Sequence, residues 1–237
     1  MYHEGRKKVR DTDRHEVKCA VTAPELQLLS RRLGAVLPRD SHARGGSYEI
    51  RSLYFDTPDD RALREKLDGI GPREKFRLRC YNGDLSYIVL EKKARIRGLC
   101  RKTQARLSED EARRIAAGDT AGLRGSDSAL LRELALRMSV ELLRPKTVVV
   151  YTREPFVYAP GNVRVTLDSD LRSSLGPADF FDPDGAFVPA GGSGGVLELK
   201  WDAFLPDLIR DLVQLPGRGL GSFSKYAACR LFDERGD

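Results

Sequence analysis

The sequence predicts an α+β protein built on an antiparallel β-barrel that closes into a tunnel, with a polar cationic interior and helices packed outside. Three observations lead there. Hairpin signals join the apolar runs, and regular β-α-β alternation is missing, so the strands run antiparallel. Successive strands carry one apolar and one basic face. Several helices carry apolar stripes that need a surface to cover.

The elements follow in order. Arg14–Val21 alternates and reads as a strand. Thr22-Ala-Pro-Glu25 is a capping box with proline near the helix start, and predicts a helix to about Val36. Ser47–Thr57 is a β-rich run, and Thr57-Pro58-Asp59-Asp60 then caps a short helix. Arg73–Tyr81 is a strand that turns at Asn82-Gly83, a strong hairpin signal, and returns as Leu85–Ala94. A further strand covers Leu99–Leu107, and Ser108-Glu-Asp-Glu111 caps the next helix. A longer helix spans Ser128–Leu143, with Leu130, Leu131, Leu134 and Met138 on one stripe. Lys146–Ala159, Asn162–Leu171 and Gly195–Asp202 read as strands, and helices at Asp207–Gln214 and Ser224–Phe232 close the chain. Residues 1–12 are expected to be flexible, with one domain over 13–233 and a mobile loop at Ala190–Gly195 within it.

The 237 residues suffice for a large core, and 41% hydrophobic with 32% charged residues marks a globular chain. No apolar run approaches the roughly 20 residues of a membrane span. The N-terminus lacks a signal peptide, so the expected location is cytoplasmic and the four scattered cysteines are expected to be reduced. The net charge of +6 leans toward an anionic partner. His3, His15 and His42 are scattered and make no metal pattern.

The position of the charge is more informative than its sum. In "REKFRLRCY", Arg73, Lys75, Arg77 and Arg79 share one face, and Glu74, Phe76, Leu78 and Cys80 lie on the other. The pattern recurs with Glu16 and Lys18 in the first strand and with Glu91 and Lys93 in the hairpin partner. It recurs again at Arg153, at Arg164, Thr166 and Asp168, and at Glu198 and Lys200. Helix stripes need the apolar faces, so the charged faces are left to line the interior. Cations crowded there repel by several kcal/mol at reduced dielectric unless an anion fills the space. Phosphate suits Arg and Lys, and glutamates among them suit a hard cation that bridges phosphates. A nucleic-acid binder should instead carry its basic residues on an outer surface with aromatics between them.

"RHEVK", "SLYFDT", "REKFRLRCYN", "LEKK" with a later "GLCRK", "YTREPF", "NVRVTLDSDL", "VLELKWD" and "SFSKY" follow one another along Arg14–Arg230. In that order they resemble the polyphosphate polymerase domain of the vacuolar transporter chaperone family, within the triphosphate tunnel metalloenzyme (CYTH-like) superfamily. The resemblance implies a closed antiparallel tunnel of about eight strands with helices outside. It makes Lys18, Arg77, Arg79, Lys93, Arg153, Arg164 and Lys225 phosphate ligands, the four arginines neutralising the transferred group. Ser224 joins them at the start of the last helix, where free N–H groups favour anions. Glu198 becomes the metal ligand, with Glu16 and Glu91 as further carboxylates for Mn²⁺ or Mg²⁺. Lys102 and Arg106 carry over less directly, because the spacing of their strand differs. Lys200 and Asp168 follow the strand pattern as ligands or as neutralising partners.

The implied partners are ATP and polyphosphate or tripolyphosphate. The implied reaction is metal-dependent phosphoryl transfer, first of all polyphosphate synthesis from ATP. Hydrolysis of tripolyphosphate or a nucleoside triphosphate is the alternative, and a non-catalytic polyanion-binding domain is the third reading. The chain departs from the superfamily's opening Glu-x-Glu-x-Lys by placing Arg14 at the first acidic position, which suits the polymerase branch better than a two-metal hydrolase. It has no membrane span of its own in this reading, so any link to a membrane runs through a separate partner.

Overall fold

The structure, a computed structural model, describes residues 14–96, 99–190, 192, 194–217 and 221–233. The N-terminal stretch 1–12 and residues 191 and 193 of the expected mobile loop lie outside them.

Nine strands form one antiparallel sheet: β1 (His15–Val21), β2 (Tyr48–Asp56), β3 (Arg73–Tyr81), β4 (Asp84–Ile96), β5 (Leu99–Leu107), β6 (Arg144–Tyr158), β7 (Val163–Ser174), the two-residue β8 (Val188–Pro189) and β9 (Gly195–Trp201). Six helices accompany it: α1 (Ala23–Val36), α2 (Arg61–Leu67), α3 (Glu109–Ala116), α4 (Ala129–Val140), α5 (Asp207–Val213) and α6 (Lys225–Asp233). The strand order is β1-β9-β7-β6-β2-β3-β4-β5, with β8 on the side of β7. Local chemistry sets the boundaries as the sequence predicts. The Thr22 and Ser108 amides donate to Glu25 at 2.7 Å and to Glu111 at 2.8 Å, completing both capping boxes. Asn82 and Gly83 take φ of 51° and 67°, the left-handed pair that a two-residue hairpin needs.

The expected closure does not occur. β1 and β5 are the two ends of the sheet, and one isolated bridge, Arg14 to Cys100, joins them. The free edge of β1 has another partner. The Lys18 amide donates to the Gly221 carbonyl and the Gly221 amide to the Lys18 carbonyl, both at 3.0 Å. Backbone groups satisfied there are not available to β5, so the sheet is an open, curled half-barrel.

Two apolar clusters cover its outer face. Leu53, Phe55, Leu78, Leu90 and Val148 pack against Ile115 of α3 and Leu130, Leu131, Leu134 and Met138 of α4. Leu197 and Leu199 of β9 pack against Leu29 and Leu33 of α1 and Ile209 and Val213 of α5. A fully buried leucine such as Leu134 contributes about 1.5–3 kcal/mol through burial alone.

The last helix departs from the expectation that all helices lie outside. Tyr226 and Cys229 of α6 pack with Ile50 and Tyr54 of β2 and Val149 and Tyr151 of β6. These residues alternate with Leu53, Phe55, Val148 and Val150, which face α3 and α4. α6 therefore lies on the concave face. Asp56 fixes it there. Its carboxylate accepts the Thr57, Ala62 and Leu63 amides at 2.8, 2.8 and 3.2 Å and the Tyr226 hydroxyl at 2.6 Å. The start of α2 thus takes its cap from Asp56 and Thr57. Asp60, at the cap position itself, sits at φ 56° and makes no side-chain cap bond.

Candidate active site

Period-two alternation places the polar residues of β1, β3, β4, β6 and β9 on the concave face, beside α6. They line an open cleft of about 900 Å³, the solvent at its mouths included. Among the described residues, eleven cationic side chains and two carboxylates, Glu16 and Glu198, line it.

The strand register builds the floor. Lys18 stands directly across from Glu198, and Glu16 across from Lys200. Lys18 lies 3.0 Å from Glu16 and 3.3 Å from Glu198. Glu198 also meets Lys200, and Arg153 at 3.3 Å, and Lys93 reaches Glu16 at 2.5 Å. Burial works against the charge on both glutamates. Lys18 and Lys200 outweigh it and hold both carboxyls below the usual range, Glu198 well below.

Two further carboxylates orient arginines from outside the lining. Glu91, 1% exposed, accepts Arg77 at 2.6–2.7 Å and stays ionised despite burial because Arg77, Arg79 and Lys102 face it. Asp168 grips Arg153 in a fork of two 2.7 Å bonds and takes Lys225 at 2.5 Å. Arg79 is held by Ser52 at 3.1 Å and the Tyr151 hydroxyl at 3.3 Å. Arg77 also donates to the Tyr54 hydroxyl at 2.7 Å. Burial raises the Tyr54 phenol, yet Arg77, Arg79 and Lys75 draw it down to about 8.

Other cations lack such support. Among the described residues Lys75 has no carboxylate partner. It lies 3.5 Å from the Ser224 hydroxyl and 5.7 Å from the Tyr226 ring centre. Burial, followed by the charges of Lys93, Lys18 and Arg77, lowers it to about 8. Burial and Lys18 bring Lys93 to about 8 as well, although Glu16 opposes them. At the start of α6, Ser224 accepts the Ala227 amide at 3.3 Å, so its hydroxyl caps the helix while facing the cleft.

The cleft brings together Arg77, Arg79, Arg153, Lys18, Lys93, Lys200, Ser224, Lys225, Glu16 and Glu198. Four predicted site residues are placed elsewhere. Glu91 sits behind Arg77. Lys102 reaches Glu91 at 3.2 Å from a half-exposed position on β5. Arg164 pairs with Asp40 in the loop after α1. Arg106 lies at the outer end of β5 over the Tyr87 ring. Lys66, Arg73, Lys75, Arg95, Tyr54 and Tyr151 line the cleft without having been named as ligands. Arg73 and Lys75 were legible from their alternation with Arg77 and Arg79. Arg95 shares the period-two face of Glu91 and Lys93, one residue past the expected end of that strand, and Lys66 carries no local signal.

No three His, Cys, Asp or Glu side chains converge among the described residues. A hard cation fits the site in a more limited way. Glu16 and Glu198 are two ionised carboxylates sharing Lys18, and the buried Thr166 hydroxyl, across the ladder from Glu198, has no partner among the described residues. Two carboxylates are what Mg²⁺ or a similar ion takes when phosphate oxygens and water complete its shell. No described helix is long and apolar enough to cross a membrane.

The half-barrel is shared with solved structures. One is a candidate adenylate cyclase of Bacillus halodurans, 16% identical, covering 96% of this chain and 89% of that one at a TM-score of 0.52. Another is a candidate adenylyl cyclase of Hippeastrum, described as having a dominant triphosphatase activity, 16% identical over 92% of this chain and 95% of that one at a TM-score of 0.51. At these identities the likeness is one of fold. No curated protein matches the chain in sequence. The VTC domain family matches residues 13–232, a span that takes in the whole sheet, the cleft and nearly all of α6. The chain belongs to the VTC domain family.

Proposed function

We propose that the cleft carries out metal-dependent phosphoryl transfer, and that its reaction is polyphosphate synthesis from ATP. The observation that carries this reading is the charge of the cleft, eleven cations against two carboxylates among the described residues. Such a site is strained when empty and relaxed by a polyanion. The donor's phosphates lie along Lys18, Lys93, Lys200 and Lys225. Arg77, Arg79 and Arg153 face the charge that spreads over the transferred group. Glu91 and Asp168 hold Arg77 and Arg153 in place, so little reorganisation is needed during transfer. Glu16 and Glu198 would hold Mg²⁺ or Mn²⁺, which would supply charge neutralisation at the phosphate oxygens. The acceptor is the terminal phosphate of the growing chain, whose pKa near ~6 leaves it ionised at neutral pH, so no strong base is required.

Water in the acceptor's place makes the same cleft a hydrolase. The triphosphatase activity described for the Hippeastrum protein favours that second reading. A third, anion binding without turnover, accounts for Glu198 only as a counter-charge to Lys18, Lys200 and Arg153.

Incubation with ATP and Mn²⁺, followed by gel analysis for polymer and an assay for free phosphate, separates the three. A polymer ladder supports the polymerase, and phosphate without polymer replaces it with the hydrolase. Tight tripolyphosphate binding with neither product leaves the binding domain.

A further inference from the structure

The basic character of the concave face stops partway along its strands. On β1 the inward residues run Glu16, Lys18, Ala20, and on the facing β9 they run Lys200, Glu198, Val196. On β7 the ladder slips by one residue. Thr152 stands across from Ser169 but Val150 from Arg172, and Asp170 takes the left-handed conformation, φ 52°, in the slipped stretch. The slip turns Leu171 to the same face as Asp168, where it packs against the cluster that holds Tyr151 and Ala190. Ala20, Val21, Leu171 and Val196 line a second cavity of about 600 Å³, open solvent included. It adjoins the basic cleft, since Tyr151, Phe223 and Lys225 line both. Among the described residues its only charged side chains are Asp168 and Lys225, which pair with each other at 2.5 Å. A Cβ at Gly194 or Gly195 would collide with the Val21 or Asp168 carbonyl, so the wall they form is bare backbone. An inorganic phosphate chain has no apolar surface to bury and gains nothing from such a lining. A flat uncharged ring joined to phosphates does gain.

We infer that this second cavity takes the nucleobase of the phosphate donor, and holds it by its ring faces rather than by its edges. The inference rests on the proposed function and adds an orientation to it. The base lies among Phe223, Leu171 and Val196, the first phosphate passes Lys225, and the later phosphates reach Arg153 and Lys18. Stacking on an aromatic ring tolerates any base, because every base has a π-face. Reading a base by its edge needs hydrogen-bonding side chains in matched pairs. The polar side chains here do not supply them. Asp168 is committed to Arg153 and Lys225, and the Tyr151 hydroxyl accepts from Arg79. Ser169 is a single hydroxyl, which makes no two-point contact.

Calorimetric titration of the whole chain with ATP, GTP and tripolyphosphate, in metal-free buffer so that turnover does not intervene, tests this. ATP carries fewer negative charges than tripolyphosphate, so charge alone would make it the weaker ligand. Wild-type protein should nevertheless bind ATP and GTP at least as tightly as tripolyphosphate, and the two nucleotides should differ by less than about tenfold. Ala20 is exposed at the rim, and Ala20→Phe fills the cavity from there. In that variant ATP and GTP should each bind roughly tenfold more weakly, with tripolyphosphate within about twofold of wild type. Equal weakening of all three ligands, or no weakening of ATP, overturns the inference. A preference for one base of about tenfold or more overturns recognition by the ring face. If Ala20→Phe fails to fold, Phe223→Ala removes the stacking ring and gives the same comparison. Wild-type protein that binds none of the three overturns the proposed function and this inference together. Wild-type protein that binds tripolyphosphate well but ATP more weakly overturns the nucleobase cavity alone.

Discussion

Lys18 on β1 and Glu198 on β9 stand directly opposite in the ladder, with their charged ends 3.3 Å apart. The same carboxylate also meets Lys200 and Arg153. Glu198→Gln keeps the shape of this group and removes its charge. Turnover of ATP with Mn²⁺ should fall by at least about 100-fold, because a metal's contribution to such a reaction is worth several kcal/mol. Tripolyphosphate affinity should hold or tighten, since the surrounding cations lose an internal counter-charge. A parallel loss of binding and turnover would assign Glu198 a structural role only.

Arg77 faces both ways, toward the cleft and toward the buried Glu91. Arg77→Ala should weaken phosphate binding and turnover together. It should also cost about 3 kcal/mol of stability in urea unfolding, the lower end for breaking a buried pair, because Arg79 and Lys102 stay near Glu91. Arg77→Met/Glu91→Leu should recover only part of that stability, because it leaves the buried Arg79 without a carboxylate, and none of the binding. Unchanged phosphate affinity in Arg77→Ala would rule out the cleft as the anion site.

What could be read from the sequence was whatever local chemistry determines. The capping boxes at Thr22 and Ser108, the Asn82-Gly83 turn and the α4 stripe depend on neighbours a few residues apart, and the structure has them. Period-two alternation likewise put Lys18, Arg77, Arg79, Arg153 and Glu198 on one face, and that face lines the cleft. The failures involve partners far apart in sequence. The edge of β1 is taken by Gly221, about 200 residues away, so the barrel stays open. Arg164 has the right strand and face, yet Asp40 from a distant loop holds it. α6 looks like any amphipathic helix until Asp56 and Tyr54 show which side of the sheet it covers. Lys66 reads as a solvated helix residue because nothing nearby in sequence places α2 at the mouth of the cleft.

Tyr226 links that mouth to the rest of the fold. Its hydroxyl donates to Asp56 at 2.6 Å and accepts from Arg230 at 3.2 Å, and its ring stacks on Tyr54 at 5.1 Å. Tyr226→Phe keeps the ring and deletes both hydrogen bonds. It should cost about 1–3 kcal/mol in chemical denaturation, because Asp56 is a buried carboxylate that loses one partner. Asp56→Ala removes the α2 amide acceptor as well and should cost more. Equal stabilities for Tyr226→Phe and wild type would mean that α6 is held by apolar packing alone.

Anion binding should also report the two strained lysines. Lys75 and Lys93 each sit at about 8, lowered first by burial and then by neighbouring positive charge. A bound polyphosphate supplies counter-charge and raises both, so their contribution is complete below about pH 8 and is lost as pH rises through the higher, bound-state values. Tyr54, also at about 8, acts in the same direction, since its phenolate adds negative charge beside Arg77. The terminal phosphate, with a pKa near ~6, has already ionised and does not mask the effect. Tripolyphosphate affinity should therefore fall by roughly tenfold or more between pH 8 and pH 10. The decline should become shallower in Lys93→Gln, and Tyr54→Phe should separate the phenol's share. A flat profile in calorimetry across this range would place the phosphates away from Lys75 and Lys93, and the inner site would have to be redrawn around Arg153 and Lys225.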